Sequence, residues 1–335
     1  SAPPNPAGLS EGSFNQGYYD RFFVEQKKLG RGLRGSVFLC QHILDQVPLG
    51  EFAVKAIPVG SSHAWLVRML REVHLLERLR HPNIIEYKHA WLENRQPTVF
   101  GPEVPCLFIL MELANGGNLE EFIQMQHAAS PALSTPQARV AAARRRSRST
   151  PTHRSLGPEY LNEREIWCMF LDVCDGLKHL HSHGIIHRDL KPPNLLLHYD
   201  EGVKTPRVLI SDFGECEVVS DERRDERTGA TGTLEFMPPE LLVRSSAGAY
   251  TGVHSPKADM WSLGIVLHFL CFSRVPYSQV DDVDILREEI LGFSRFVERY
   301  GVAADEVEKA IALKSLIVRL LAPVPKNRPT IDEIL

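Results

Sequence analysis

From Phe22 onward the chain carries three short β-rich runs, FFVEQKKLG, SVFLCQHIL and EFAVKAIPV, separated by glycine-rich or polar breaks; this predicts three antiparallel strands. The next stretch, RMLREVHLLERLR, places Met69, Val73, Leu76 and Leu79 on one side of a helix. His81-Pro82 ends it, because proline drives the residue before it out of the helical region. IIEYKHAWLE and CLFILMELA read as two more strands, and Asn115-Gly116-Gly117 then breaks the chain. Beyond that break nearly every segment has helical spacing, including EIWCMFLDVCDGLKHLH, DMWSLGIVLHFLCF and AIALKSLIVRLL. The pattern predicts an α+β protein of two lobes: a small antiparallel β-sheet lobe with one helix at 18–111, a connection at 112–117, and a larger, mainly α-helical lobe at 118–335. Residues 1–17, rich in Pro, Gly and Ser, read as a flexible leader.

Composition agrees with an ordinary globular chain: 335 residues, 43% hydrophobic and 24% charged, are enough for two lobes with a sizeable core. The net charge of −4 argues against a general nucleic-acid binder, but it averages over one basic stretch. Residues 127–158 hold six arginines and no acidic residue, so the rest of the chain carries −10. Such an Ala, Ser, Pro and Arg-rich segment cannot bury a core and reads as a disordered insert in the second lobe. Its Arg144-Arg145-Arg146-Ser147-Arg148-Ser149 run offers phosphorylation sites at Ser147 and Ser149, or a basic patch for a partner. Six cysteines without C-x-x-C spacing suggest neither a zinc cluster nor a disulfide framework, which fits a reducing compartment, the cytoplasm with the nucleus left open. No apolar run approaches the about 18 residues of a membrane span, and the start SAPPNPAGLSEG lacks the apolar core of a signal peptide. The chain opens without methionine and stops at IDEIL, as a piece of a longer protein would.

Chemistry-bearing residues concentrate between Ile185 and Gly214, where the apolar runs IIHRDLKPPNLLL and VLISDFG put His187, Arg188, Asp189, Lys191, Asn194 and Asp212 at polar turns. Upstream, Gly30-Arg31-Gly32-Leu33-Arg34-Gly35-Ser36-Val37 has the spacing of a phosphate-cradling turn. A dinucleotide-binding turn also uses three glycines, and Glu51 stands about where its ribose ligand would. That turn must enter a helix, however, whereas SVFLC continues as a strand. Lys55 lies in the apolar run Ala53-Val54-Lys55 and needs an anionic partner if desolvated; Glu72 on the following helix can serve. His179, His181 and His183 fail as a metal cluster, because residues two apart on a helix do not share a face.

Taken together, the glycine turn, Lys55, Glu72, His187-Arg188-Asp189, Asn194 and Asp212-Phe213-Gly214 resemble the signature set of eukaryotic protein kinases over residues 22–335. The resemblance implies the bilobal kinase fold over 18–335, with ATP and Mg²⁺ as cofactors and a protein as substrate. By carry-over, Asp189 accepts the substrate hydroxyl proton and Lys191 neutralises the transferring γ-phosphoryl group. Asn194 and Asp212 ligate magnesium, and Lys55, held by Glu72, meets the α- and β-phosphates. Leu29, Gly30, Gly32, Gly35, Val37, Ala53 and Lys55 on one side and Leu196 on the other line the nucleotide site, with Met111 at its back and the backbone of Glu112 and Ala114 bonded to adenine. Leu76, Tyr87, Phe213 and His187 are implied to stack as the mark of the active arrangement. Lys191 within HRDLKPPN is the serine/threonine-kinase pattern.

The same resemblance assigns Asp259 to anchoring the His187-Arg188 backbone, Thr233 to bonding the catalytic pair, and Glu240 of Met237-Pro238-Pro239-Glu240 to an ion pair with Arg328. Thr228 and Thr231 become phosphorylation candidates, for an upstream kinase or for autophosphorylation, with Arg188 as the phosphate's partner. Glu215 departs from the family, which places a small or apolar residue after Asp-Phe-Gly. HPNIIEY followed by His89-Ala90-Trp91-Leu92-Glu93 is similar to the initiation-factor-2α kinases and to the fungal Iks-type kinases, with the Iks type favoured. The alternative function is a pseudokinase, a scaffold that holds nucleotide without turnover; the presence of Lys55, Asp189 and Asp212 stands against it.

Overall fold

A computed structural model of the chain describes residues 9–32, 35–96, 101–129, 161–218, 234–244, 252, 254–278, 280–293 and 307–335. It divides into two compact units, Ser1–Asn115 and Gly116–Leu335.

In the first unit, β1 (Phe23–Gly32), β2 (Gly35–Leu44), β3 (Val47–Pro58), β4 (Tyr87–Arg95) and β5 (Val104–Glu112) form one sheet in the order β1-β2-β3-β5-β4. All four pairings are antiparallel. β5 lies between β3 and β4, which is why Cys106 to Met111 are all buried and why CLFILM reads as an unbroken apolar run. A single helix, α2 (His63–Arg78), joins β3 to β4. It starts five residues before the expected apolar spacing, because the Ser62 hydroxyl accepts the Trp65 N–H at 3.2 Å and caps the first turn.

The stretch expected as a flexible leader, 1–17, makes contacts with the first unit at Phe14, Asn15 and Gln16. Phe14 forms a parallel bridge to Leu92, and the Asn15 N–H donates to the Leu92 carbonyl at 2.8 Å. The Gln16 side-chain amide bonds both backbone groups of Asn94, at 2.9 and 3.0 Å. A short helix, α1 (Tyr18–Phe22), follows and buries Tyr19. The open edge of β4 supplies the unpaired backbone groups that order this segment.

The second unit is mainly helical: α3 (Leu119–Ala129), α4 (Glu163–Ser182), α5 (Pro256–Phe272), α6 (Val283–Leu291) and α7 (Val307–Leu320). Two short antiparallel pairs accompany them, β6 (Ile185–Ile186) with β9 (Glu217–Val218), and β7 (Leu195–His198) with β8 (Arg207–Ile210). α3 runs to Ala129, through the first residues assigned to the basic insert, whose remainder at 130–158 lies outside the described residues. α4 opens on a reciprocal cap between Asn162 and Glu165. α5 is the centre of the unit, with every residue from Ala258 to His268 buried. Its Gly264 admits α7, since a β-carbon there would stand 2.8 Å from the Leu320 β-carbon. Among the described residues no helix is long and apolar enough to cross a membrane.

Candidate active site

The turns between β6 and β7 and between β8 and β9 carry the reactive side chains of the second unit, and a buried carboxylate shapes the first of them. Arg188 has φ 69°, in the left-handed region that a non-glycine residue occupies at a cost. Asp259 on α5 holds it there: Oδ2 accepts the His187 N–H and Oδ1 the Arg188 N–H, each at 2.9 Å. His181, in the last turn of α4, lies 2.8 Å from Oδ2 through Nε2. Burial alone would raise the Asp259 carboxyl, but the His181 hydrogen bond and charge, the nearby His187 and the Arg188 N–H together hold it below the usual carboxylate range.

The same turn fixes its own next residues. The His187 ring is buried, with Nε2 3.1 Å from the Ser211 carbonyl and Nδ1 accepting the Asp189 N–H at 3.4 Å, so the ring proton belongs on Nε2. Lys191 Nζ reaches both Asp189 carboxylate oxygens, at 2.9 and 2.8 Å. The Asn194 side-chain amide donates to the Asp189 carbonyl at 2.8 Å and to its carboxylate at 2.9 Å. Both hydrogens of Nδ2 are thereby committed, which leaves Oδ1 as the side-chain atom a hard cation would take. Ser211 then donates its N–H and its hydroxyl to the Asn194 carbonyl, each at 2.9 Å. This clamps the turn to the start of Asp212-Phe213-Gly214. Asp212 is exposed and left-handed at φ 62°, while Phe213 is buried with its ring 5.6 Å from that of His187. Leu196 sits on β7 opposite Leu209.

In the first unit, Lys55 on β3 pairs with Val37 of β2 and Ile109 of β5, and Ala53 pairs with Met111. Gly30 opposes Val37 and Gly32 opposes Gly35, so the glycine turn is the tip of the β1–β2 hairpin. A β-carbon on Gly30 would meet nothing within 4 Å, whereas one on Gly35 would run into the Ala56 carbonyl oxygen. The first glycine leaves backbone open to a phosphate; the last lets the hairpin lie against β3. Leu29 beside them is 41% exposed. At the end of β5, the Glu112 carboxylate accepts the Glu86 N–H at 2.8 Å and its N–H donates to the Glu86 carbonyl at 3.0 Å, which fixes the chain before Ala114. Glu72 and Leu76 fall on α2, and their side chains lie outside the described residues, as do Thr228, Thr231, Thr233, Ser147 and Ser149.

Glu240 follows Pro238-Pro239, and its carboxylate takes both terminal nitrogens of Arg328 at 2.7 Å. Arg328 also donates to the carbonyls of Ala322, Lys257 and Pro323 and stands 5.0 Å from the Trp261 ring centre. Sequence reasoning missed His181 as a partner of Asp259, and it missed the Ser211 clamp. The first signal was present in the short interval between HLHSH and His187-Arg188-Asp189, which keeps the helix end close to the turn.

A family model described as the protein kinase domain matches residues 23–335. The chain is 40% identical, over 98% of its length, to a protein of Dictyostelium discoideum described as probable serine/threonine-protein kinase iksA, of which it covers 33%. It is 28% identical, over 92% of its length, to mitogen-activated protein kinase kinase kinase 12 of Rattus norvegicus, covering 26% of that protein. To the interferon-induced, double-stranded RNA-activated protein kinase of Rattus norvegicus it is 27% identical over 94% of its length and covers 52%. The chain therefore spans between a quarter and about half of these relatives. With a match over nearly its whole length and an antiparallel five-stranded unit followed by a helical one, the chain belongs to the protein kinase family and has its bilobal fold.

Proposed function

We propose that the chain is an active serine/threonine kinase domain that moves the γ-phosphoryl group of ATP to a protein hydroxyl. The observation that carries this reading is the closed set of hydrogen bonds from Asp259 through His187 to Asp189, Lys191 and Asn194. Protein kinases generally use ATP with Mg²⁺, which supplies charge neutralisation at the phosphates. The residues present fit that pair: oxygen donors at Asn194 and Asp212, and an open backbone at Gly30.

In this reading Asp189 takes the proton of the incoming hydroxyl, and its carboxylate is aimed by Lys191 and Asn194. Lys191 is also the cation beside the transferred group. By the family's pattern, Lys55 and the glycines of the Gly30–Val37 turn would hold the phosphates, with Glu72 as the lysine's expected partner, and the base would be met by Ala53, Met111 and the backbone of Glu112 and Ala114 from the first unit and by Leu196 from the second. The segment with Pro238 and Glu240, locked by Arg328, supports a peptide. The 40% identity to iksA supports an Iks-type assignment. The test is phosphate incorporation from γ-labelled ATP with Mg²⁺ into a protein acceptor, followed by phosphoamino-acid separation. Phosphoserine or phosphothreonine that disappears in Asp189→Asn is expected. Nucleotide binding with no incorporation above the variant's level would assign the chain to nucleotide-holding scaffolds instead.

A further inference from the structure

The first unit contains an element that the family match at residues 23–335 leaves out, the segment from residue 9 to Phe22. Its bonds to the edge of β4 are only half of its attachment. α1 lies over a cluster formed by Tyr19, Phe23, Cys40, Val54, Trp91, Cys106, Phe108 and Leu110, with Phe52 and Ala56 packed against it. Side chains alternate along a strand, so Phe52, Val54 and Ala56 point to one face of β3 while Ala53 and Lys55 point to the other. α1 therefore covers the face opposite Lys55.

Tyr19 alone reaches four of the five strands. Its hydroxyl lies 3.2 Å from Glu25 on β1 and 3.1 Å from the Cys40 sulfur on β2. Its N–H donates to Glu93 on β4 at 2.7 Å, and its ring centre is 5.0 Å from that of Phe108 on β5. Arg95 closes over the ring at 4.4 Å and pairs with Glu25 at 3.2 Å. Glu93 is 3% exposed, and its Oε1 accepts from Tyr19 N–H and, at 2.9 Å, from Trp91 Nε1. A carboxylate so deeply placed needs those donors, and one of them belongs to the segment. Burial, and then the Cys40 thiol, push the Tyr19 hydroxyl above the usual tyrosine range, so it stays a neutral donor.

We infer that residues 9–22 form a detachable clasp with Tyr19 as its positioning residue. The clasp holds the five strands in register from the face opposite Lys55, so its release loosens β3 and weakens nucleotide binding. The nucleotide part rests on the kinase reading above; the structural part does not. The experiment compares the full chain with one beginning at Phe23, by amide exchange at Cys40, Val54, Asn94 and Leu110 and by steady-state kinetics. The shortened chain should exchange about tenfold faster at these amides, the effect of about 1.4 kcal/mol of lost local stability. Its KM for ATP should rise several-fold, with the KM for the peptide acceptor unchanged. A synthetic peptide of residues 9–22 should restore both readings, its Tyr19→Phe form should restore them in part, and its Tyr19→Ala form should not. Unchanged exchange in the shortened chain, or equal rescue by the Tyr19→Ala peptide, overturns the inference. If the shortened chain does not fold, full-length Gln16→Ala decides: faster exchange at Asn94 supports the clasp and unchanged exchange refutes it. Exchange changes without any phosphotransfer by the full chain would sink the kinase reading and support the clasp.

Discussion

Removing Glu240 should destabilise the second unit more than its surface-facing position suggests. The Arg328 side chain is fully buried, while that of Glu240 is 21% exposed, so the two halves of the pair respond differently to loss of the other. In Glu240→Ala the guanidinium keeps its three carbonyl acceptors and the Trp261 ring but loses two charge-assisted bonds and its counter-charge. Stranding a buried charge in this way costs about 3–5 kcal/mol, and the surviving carbonyl bonds put the expectation near 3 kcal/mol. In Arg328→Met the orphaned carboxylate can turn to water, so adding Glu240→Ala to Arg328→Met should cost less than about 1 kcal/mol more. Urea unfolding of the three proteins, followed by Trp261 emission with the remaining tryptophans replaced by phenylalanine, measures each value. A loss below about 1 kcal/mol for Glu240→Ala, or additive losses in the double variant, would refute the reasoning.

Other outcomes follow from single groups. Asp259→Asn should lower kcat more than tenfold while leaving the KM for ATP within about twofold, because it removes an acceptor from the Asp189 turn. Its stability deficit should be full above the ordinary carboxylate range and shrink as pH falls through the depressed Asp259 value, since the unfolded chain takes up that proton first. Burial lowers His268 from 6.5 to about 3, so above about pH 6.5 it is neutral folded or unfolded. Below that the unfolded chain gains the proton and stability falls by about 1.4 kcal/mol per pH unit; His268→Leu should unfold at a lower pH, and an unmoved acid midpoint contradicts this. Gly35→Ala drives a methyl group into the Ala56 carbonyl and should cost the first unit about 1–3 kcal/mol in a melting curve.

The fold was legible where a period and a breaker coincided. Val37, Val54 and Ile109 sit in runs too β-rich to be helical, and Asn115-Gly116-Gly117 interrupts everything that could cross it. Asp189, Asn194 and Asp212 were legible because apolar runs on both sides left them only the turns. The segment around Gln16 was not, since its partner Asn94 lies 78 residues away and a Pro, Gly and Ser-rich composition hides a docked strap as readily as a loose tail. The bond from His181 to Asp259 was missed for a related reason: a helix face can be counted from spacing, but a buried carboxylate arriving from residue 259 cannot. The start of α2 was missed because Ser62 supplies a cap where no apolar period had begun.

The central claim is that the Asp189, Lys191 and Asn194 arrangement performs phosphoryl transfer rather than merely holding nucleotide. Its most direct test is a single-turnover experiment with ATP and Mg²⁺ prebound, comparing the chain with Asp189→Asn at equal nucleotide occupancy. A transfer step slowed by about 10²–10⁴-fold, the usual weight of a general base, is the predicted result. Equal transfer rates in the two proteins, or none in either, would contradict it.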